Sequence, residues 1–335
     1  MIDTGLYELI FKPRLSKAML DWVRAFRPDV ILAQGYNLTF ARLPAMLKEA
    51  TGAKLAFFAS DDWPTYLYSG QLGEPGALKW LVRPAVKQAT SRMFAAVDIP
   101  LAFGHPMGDA YAARYGKPFT VLSHADDPQR FVAAEPKRIH PPDTRTVLAI
   151  GGFNRFRWPL VLDANEACRT LEGLGVRARV AVMSPWIEAE GLRQLKAAPY
   201  VDILPDPGND ALPQYLKGAD LLFLAEGFDQ AFVDAIGLSV SSKSHLFMFS
   251  RRPIVLYAHP DTGVCKYATK HGWASIVSHR DPKLLVNAMR ELLADQHASD
   301  KLTAHAWQIA CEFHGSNLNQ NRFRDSLAGH ATNCD

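Results

Sequence analysis

The chain has 335 residues, of which 48% are hydrophobic and 21% are charged. This is enough for two domains of about 150 residues each, and the composition excludes a disordered chain. The formal net charge is +3, and no Lys/Arg run or aromatic–basic ladder accompanies it, so nucleic-acid binding is not indicated. The mild positive charge is compatible with an anionic small ligand, or with loose contact to an anionic membrane surface.

The four cysteines are dispersed, and none forms a close pair. Neither a zinc site nor a disulfide scaffold is therefore indicated, and a reducing cytoplasm is the simplest compartment. No stretch approaches the roughly 18 uninterrupted apolar residues of a transmembrane helix, and the N-terminus does not follow the plan of a signal peptide. We expect a soluble protein.

In the first half of the chain, apolar strand-like runs alternate with amphipathic helix-like runs, which predicts an α/β class with mainly parallel sheets. The predicted strands are 29–33, 54–59, 99–103 and 119–122. The predicted helices are 39–50, 76–96 and 107–115. Open nucleotide-type sheets commonly have about six strands, so we expect a reduced first domain, or a chain that begins inside a longer one. The proline-rich residues 132–144 predict an interdomain linker.

The second half repeats the alternation and predicts a second Rossmann-like unit. Its predicted strands are 146–150, 179–183, 201–204, 220–225, 254–257 and 274–277. Its predicted helices are 160–174, 187–197, 211–217, 263–271 and 282–294, followed by one long closing helix at 301–327.

Small hydroxyl residues and a lysine precede a short apolar helix pattern in the run 239–250. A helix N-terminus offers unbonded N–H groups and a favourable dipole to an anion. Ser241, Ser242 and Lys243 are therefore candidates for binding a phosphate-bearing ligand. The alternative is an ordinary serine-capped helix between two strands.

A glycine-rich turn follows the strand 146–150, at the carboxyl end of the predicted sheet, where ligands of open α/β sheets bind. Gly151 and Gly152 allow close backbone approach, and Arg155 and Arg157 suit phosphate oxygens. The turn matches neither a dinucleotide fingerprint nor a P-loop. It is also compatible with a simple turn that displays surface arginines.

Polar residues follow other strands at the same edge. Glu226 and Phe228 suit a ribose and a base, Ser184 occupies the equivalent position after strand 179–183, and each is equally compatible with an ordinary loop. In the first half, Asp61 and Asp62 suit a sugar hydroxyl or a general-base role, although a helix cap or loop turn also explains them. The eleven histidines form no metal pattern, and no metal site is predicted.

Taken together, these segments resemble the GT-B glycosyltransferases of the retaining "group 1" type. The resemblance extends from about residue 28 to the C-terminus and is strongest over 219–294. It depends on the order and spacing of four segments, which are 27–32, 107–131, 242–255 and 263–294.

The resemblance implies two Rossmann-like domains facing across a cleft, the first of them incomplete. It implies an acceptor-side domain at 1–135, a nucleotide-sugar-binding domain at 145–300, and a C-terminal helix at 301–335 that crosses back toward the first domain. The donor is expected to be a UDP or GDP sugar, used without a metal or other cofactor, because basic side chains stabilise the leaving diphosphate.

Site residues are assigned from the strand-end patterns described above, and the resemblance adds support for Arg157, Lys243, Ser241 and Ser242. The expected catalytic residues are Asp61, Asp62, Arg157 and Lys243. The expected donor-binding residues are Gly151, Gly152, Asn154, Arg155, Ser184, Glu226, Phe228, Ser241 and Ser242.

The sequence also departs from the family pattern. Two glutamates eight positions apart are common in the family, but Leu238 and Leu246 occupy those positions here. Phe153 stands where an arginine often follows the first glycine turn, and no acceptor-side catalytic histidine can be assigned.

The sequence leads to three hypotheses about function. The first is a cytoplasmic glycosyltransferase, with peripheral contact to the inner face of the membrane, acting on a glycan, lipid-linked or protein acceptor. The second is a non-catalytic relative that binds a nucleotide sugar or acts as a scaffold, which the two leucines favour. The third, a nucleotide-sugar isomerase, is disfavoured because no acid–base pair can be assigned.

Overall fold

A computed structural model of the chain describes residues 9–66 and 79–331. These residues divide into two compact units. Unit 1 contains the described residues up to 123 together with 234–239 and those from 318 onward, and unit 2 contains 124–233 and 240–317.

In the described part of unit 1, four parallel strands form one sheet. They are β1 (Val30–Ala33), β2 (Lys54–Ala59), β3 (Ile99–Phe103) and β4 (Thr120–Leu122), in the order β1-β2-β3-β4. The helices are α1 (Lys17–Phe26), α2 (Leu38–Thr51), α3 (Trp63–Tyr66), α4 (Lys79–Ala96) and α5 (His105–Tyr115).

Within unit 2, all of whose residues are described, six parallel strands form the sheet. They are β5 (Arg145–Ile150), β6 (Ala178–Met183), β7 (Val201–Leu204), β8 (Leu221–Ala225), β9 (Ile254–Tyr257) and β10 (Ser275–Val277). Their order in the sheet is β10-β9-β8-β5-β6-β7.

Helices connect and flank these strands along the chain. They are α6 (Pro128–Ala133), α7 (Trp158–Gly173), α8 (Ala189–Ala197), α9 (Gly208–Gly218), α10 (Gln230–Ile236), α11 (Ser244–Phe249), α12 (Gly263–His271), α13 (Pro282–Ala294) and α14 (Gln296–His314). A final helix, α15 (Ser316–Ala331), follows α14.

The six-stranded sheet is covered on both faces, and its central strands β8 and β9 are apolar and buried along their whole length. Successive side chains of a strand point to opposite faces, and in β5 Leu148 joins one buried cluster while Val147 joins the other. Burial on both faces is the usual state of a parallel sheet. Unit 1 has the same plan, with Phe57 packed in one cluster and Ala56 in another that includes Phe323 of α15.

The alternating strands and helices predicted from the sequence are confirmed. Helices α1, α3, α6 and α10 were not predicted, and the structure differs from the prediction at two further places. Residues 132–144 are not a linker between the units: Lys137 N–H donates to the carbonyl of Gln214 at 2.9 Å, and Ile139 packs on the core of unit 2. The closing helix is two helices, because the backbone is extended at Gly315, which pairs with Asp126. The first residues of the predicted helix 76–96 lie outside the described residues.

Candidate functional site

The strand order of unit 2 indicates where a ligand is expected to bind. From β5 the chain runs to β6 and β7 on one side of the sheet, then returns to β8 on the other side of β5. Ligands of open parallel sheets bind beyond the carboxyl ends of the strands at such a reversal. The loops that begin at Gly151, after β5, and at Glu226, after β8, flank this point.

Three charged side chains from separate loops meet here. The Arg157 Nε donates to Glu226 Oε2 at 2.7 Å, and Arg157 Nη2 lies 2.5 Å from the same oxygen. The Lys243 ammonium lies 3.8 Å from Glu226 Oε1. Glu226 is only 1% exposed, while Lys243 and Arg157 are 13% and 22% exposed. One carboxylate therefore faces two cations, and the cluster has an excess of positive charge.

The cluster shifts the ionisation of its own members. Burial alone raises the pKa of Glu226, but the charges of Arg157 and Lys243 outweigh burial and hold that pKa below its ordinary value. Burial lowers the pKa of Lys243, and Glu226 opposes this only in part. Removal of water strengthens each charge interaction in such a site.

The backbone conformation and the space at position 151 both require a glycine. Its φ is +103°, a conformation that residues with a side chain rarely adopt, and an added Cβ would lie 2.8 Å from Lys243 Cδ. The glycine therefore leaves room for the lysine side chain to cross the end of β5.

We expect Gly151→Ala to lower the free energy of unfolding by about 1–3 kcal/mol, because the new methyl group combines backbone strain with a clash against Lys243. Urea denaturation measures the change. Gly173→Ala is the matched control: Gly173 lies in α7 with no heavy atom within 4 Å of an added Cβ, so stability should stay equal or rise. Equal stability of both variants would contradict the role given to Gly151.

Two stacked aromatic rings lie beside Arg157. The rings of Phe156 and Phe232 stack at 4.6 Å, and the Arg157 guanidinium lies 5.3 Å from the centre of the Phe232 ring. A Cβ added to Gly227 would lie 2.4 Å from Phe232, so the loop after β8 needs a glycine at this contact. Phe232, which lies in α10, matches no sequence pattern that would have identified it.

Other predicted residues of these loops have structural partners. Asn154 Oδ1 accepts from the N–H of Phe156 at 3.1 Å, and Ser184 Oγ donates to the carbonyl of Trp186 at 2.6 Å. Arg155 is exposed and lies over the Phe156 ring at 4.8 Å. Phe228 packs edge-on against Tyr257, with ring centres 4.9 Å apart.

Backbone hydrogen bonds connect the loop after β5 to the end of β6 and the loop that follows it. Phe153 N–H donates to the carbonyl of Trp186 at 3.1 Å, and Gly151 N–H donates to that of Met183 at 3.1 Å. Gly152 lies close to Trp186, since an added Cβ would come within 3.9 Å of the indole. Trp186 itself is 56% exposed, so an aromatic face borders the glycine turn.

The serine–lysine segment differs from the expected helix N-terminus. Helix α11 has only six residues, and its cap, Lys243, makes no capping hydrogen bond. The dipole of so short a helix is small, so the lysine charge dominates at this end. Ser242 is exposed, and the Ser241 hydroxyl is one of the groups that lower the pKa of Glu226.

Asp61 and Asp62 belong to unit 1 and are engaged there. Asp62 is buried, with Arg114 Nη1 at 2.6 Å and Nη2 at 3.1 Å from its two oxygens, and the Tyr111 hydroxyl donates to it at 3.0 Å. The Tyr111 hydroxyl also lies 3.4 Å from the carbonyl of Asp61. Asp62 is therefore a buried carboxylate with an arginine and a tyrosine as partners, and its role as a base stays a prediction.

A stack of histidines in unit 2 was not predicted from the sequence. The rings of His124 and His245 lie 5.8 Å apart and those of His245 and His314 5.9 Å apart. His314 Nδ1 lies 2.7 Å from the His124 carbonyl and must donate, and its Nε2 lies 3.0 Å from the Tyr267 hydroxyl. Burial lowers the pKa of His124 to about 4 and that of His245 to about 3.

Leu238 and Leu246, at the positions where glutamates are common, are partly buried among apolar side chains. Leu238 packs on the core of unit 1 and Leu246 on that of unit 2. Among residues 9–66 and 79–331, no three His, Cys, Asp or Glu side chains are arranged to hold a metal ion. Nor is any helix in this part of the chain long and apolar enough to cross a membrane.

The architecture matches solved structures at low sequence identity. Sucrose-phosphate synthase from Thermosynechococcus elongatus superposes with a TM-score of 0.63 at 12% identity, over 93% of this chain and 77% of that one. HepE from Anabaena, solved in complex with UDP, gives 0.62 at 11% identity, over 93% and 82%. The chain has the GT-B fold.

A third GT-B-like neighbour has a different chemistry. A protein from Listeria monocytogenes, provisionally assigned as a UDP-N-acetylglucosamine 2-epimerase, superposes with a TM-score of 0.56 at 14% identity, over 95% of this chain and 78% of that one. No protein-family model and no curated protein matches the sequence.

Proposed function

We propose that unit 2 binds the diphosphate of a nucleotide sugar at the Arg157–Glu226–Lys243 cluster, and that the protein is a glycosyltransferase. The observation that supports this most is the pair of cations at the reversal point of the sheet. The UDP bound to HepE makes a uridine nucleotide the first donor to test. The acceptor would be a glycan, a lipid-linked intermediate or a protein.

In such a transfer, the bond between the anomeric carbon and the diphosphate oxygen breaks, and a bond from the acceptor oxygen to that carbon forms. The nucleoside diphosphate gains negative charge as it departs, and the proton that the acceptor hydroxyl loses passes to a departing phosphate oxygen or to water. Arg157 and Lys243 would stabilise that charge. Cations already held in position stabilise a developing negative charge most strongly where water is excluded.

Glu226 has a positioning role in this proposal rather than the ribose contact expected from the sequence. Its carboxylate is almost fully buried and faces the two cations instead of solvent. It holds Arg157 by a direct ion pair. The Lys243 ammonium, at 3.8 Å, lies beyond hydrogen-bond distance and can donate to a phosphate oxygen.

Calorimetric titration with UDP and GDP tests the binding step. We expect Lys243→Gln to weaken binding at least about tenfold, which corresponds to about 1.4 kcal/mol, while the Arg157–Glu226 pair remains. The double variant Arg157→Ala/Lys243→Ala should show no binding heat.

Arg193→Ala is the matched control, because Arg193 forms an exposed ion pair with Glu190 in the same unit and should bind like the wild type. Circular dichroism and melting curves confirm that each variant is folded. Equal heats for the wild type and the folded Lys243 variant would overturn the phosphate site.

A second candidate is a nucleotide-sugar-binding protein without turnover. The apolar packing of Leu238 and Leu246 favours it, since neither position can provide a carboxylate. Product analysis with a panel of UDP and GDP sugars, with and without sugar, sugar-phosphate and lipid-linked acceptors, separates the two. Transfer to an acceptor supports the enzyme, and binding without transfer or hydrolysis supports the second candidate.

We propose the cytoplasm as the compartment. Cys168 and Cys265 are free and buried, and burial raises the pKa of the Cys168 thiol to about 12. Unreactive, reduced thiols of this kind are normal in a reducing environment.

A further inference from the structure

Helix α1 has a buried apolar side and, beside it, an exposed apolar stripe. Val23 is buried, and α1 packs against α2. Ala18, Trp22 and Phe26, spaced four residues apart, form the neighbouring face, because adjacent residues such as Trp22 and Val23 lie about 100° apart around a helix. Residues at i and i+4 share one side of a helix, so this second face is a continuous stripe.

The outer stripe is unusually exposed. Trp22 is 69% and Phe26 is 72% exposed, and their rings stack with centres 6.2 Å apart. The segment just before the helix adds Ile10 and Phe11, at 68% and 57% exposure. Single exposed apolar residues are ordinary, but several large ones on one short segment mark an interaction surface.

The charge around this stripe is strongly positive. Residues 12–27 contain five basic side chains and one acidic side chain, a net charge of +4, whereas the whole chain has +3. The basic residues, all exposed, are Lys12, Arg14, Lys17, Arg24 and Arg27. The positive charge of the protein is therefore concentrated on one segment.

We propose that α1, with residues 10–14, docks the protein on an anionic lipid surface. Trp22 and Phe26 would enter the boundary between headgroups and acyl chains, where aromatic rings are favoured, and the basic side chains would face the anionic headgroups. A second copy of the chain is a poorer occupant, because two such surfaces would bring like charges together. This inference does not depend on the proposed function.

Sedimentation of the full chain with vesicles tests the proposal. We expect binding to vesicles of phosphatidylcholine with phosphatidylserine, at least tenfold less binding to phosphatidylcholine alone, and a decrease with added salt as the charges are screened. Trp22→Ser/Phe26→Ser and Lys17→Glu/Arg24→Glu should each weaken binding to the anionic vesicles at least tenfold.

Leu174→Ser/Leu284→Ser is the matched control, since both leucines are exposed but lie in unit 2, and it should bind like the wild type. Light scattering on the same samples reports self-association. Absence of wild-type binding, equal binding to both vesicle types, or a wild-type dimer that the aromatic variant abolishes would overturn the proposal.

Discussion

Glu226→Leu should lower the free energy of unfolding by about 3–5 kcal/mol, the largest effect that we expect from one substitution. The variant leaves Arg157 and Lys243 in a largely buried position without their counter-charge. Removing one partner of a buried ion pair leaves the other charge uncompensated, and this destabilises a protein far more than loss of a surface pair. Urea denaturation at neutral pH measures the change.

Two further variants test this reason. Glu166→Leu removes the partner of Arg169 in an exposed pair and should change stability by no more than about 0.5 kcal/mol. Adding Lys243→Met to Glu226→Leu should restore part of the loss, because one unpaired cation is then gone. A Glu226 variant as stable as the wild type would show that the cluster is not a buried, mutually dependent group.

Acidification from pH 7.5 to pH 4.5 should lower the free energy of unfolding by about 3–5 kcal/mol through His124 and His245. Their pKa values in the folded protein are about 4 and about 3, lowered first by burial and then by neighbouring positive groups. These groups are His314 for both rings, Lys243 for His124, and His124 for His245.

Acid lowers the stability because a histidine in the unfolded chain has a pKa of about 6.5, well above the values in the folded protein. Between pH 6.5 and 4 the unfolded chain binds protons that the folded protein does not, so stability is fully present above pH 6.5 and is lost as the pH falls. Carboxylates with lowered pKa, such as Asp98, Asp202 and Glu226, also lower the stability on acidification, but mainly below pH 4.5.

Urea denaturation at several pH values, on the wild type and on His245→Leu, checks the assignment. The variant should lose about half of the dependence between pH 7.5 and pH 4.5, while His297→Asn, a change at an exposed histidine of α14, should retain all of it. An unchanged pH dependence in His245→Leu would exclude the histidine stack as its cause.

Local sequence pattern was sufficient for most of the elements. The apolar runs at β5 and β8 and the amphipathic runs between strands predicted the α/β class, because continuous apolar runs and helical spacing are short-range properties. Proline content was misleading at 132–144, where tertiary packing on unit 2 orders the segment. The break at Gly315 was missed because it depends on pairing with Asp126, a residue distant in the chain.

For the site, the sequence by itself determined which residue types end each strand: a glycine pair after β5, a glutamate after β8, and serines with a lysine before α11. Only the tertiary structure decided which of them meet. Arg157 and Glu226 are 69 residues apart, and they pair because β8 lies beside β5 in the sheet. Strand order depends on long-range packing of apolar faces, which no local pattern specifies. It places Glu226, for which the sequence predicted a ribose contact, beside Arg157 and Lys243.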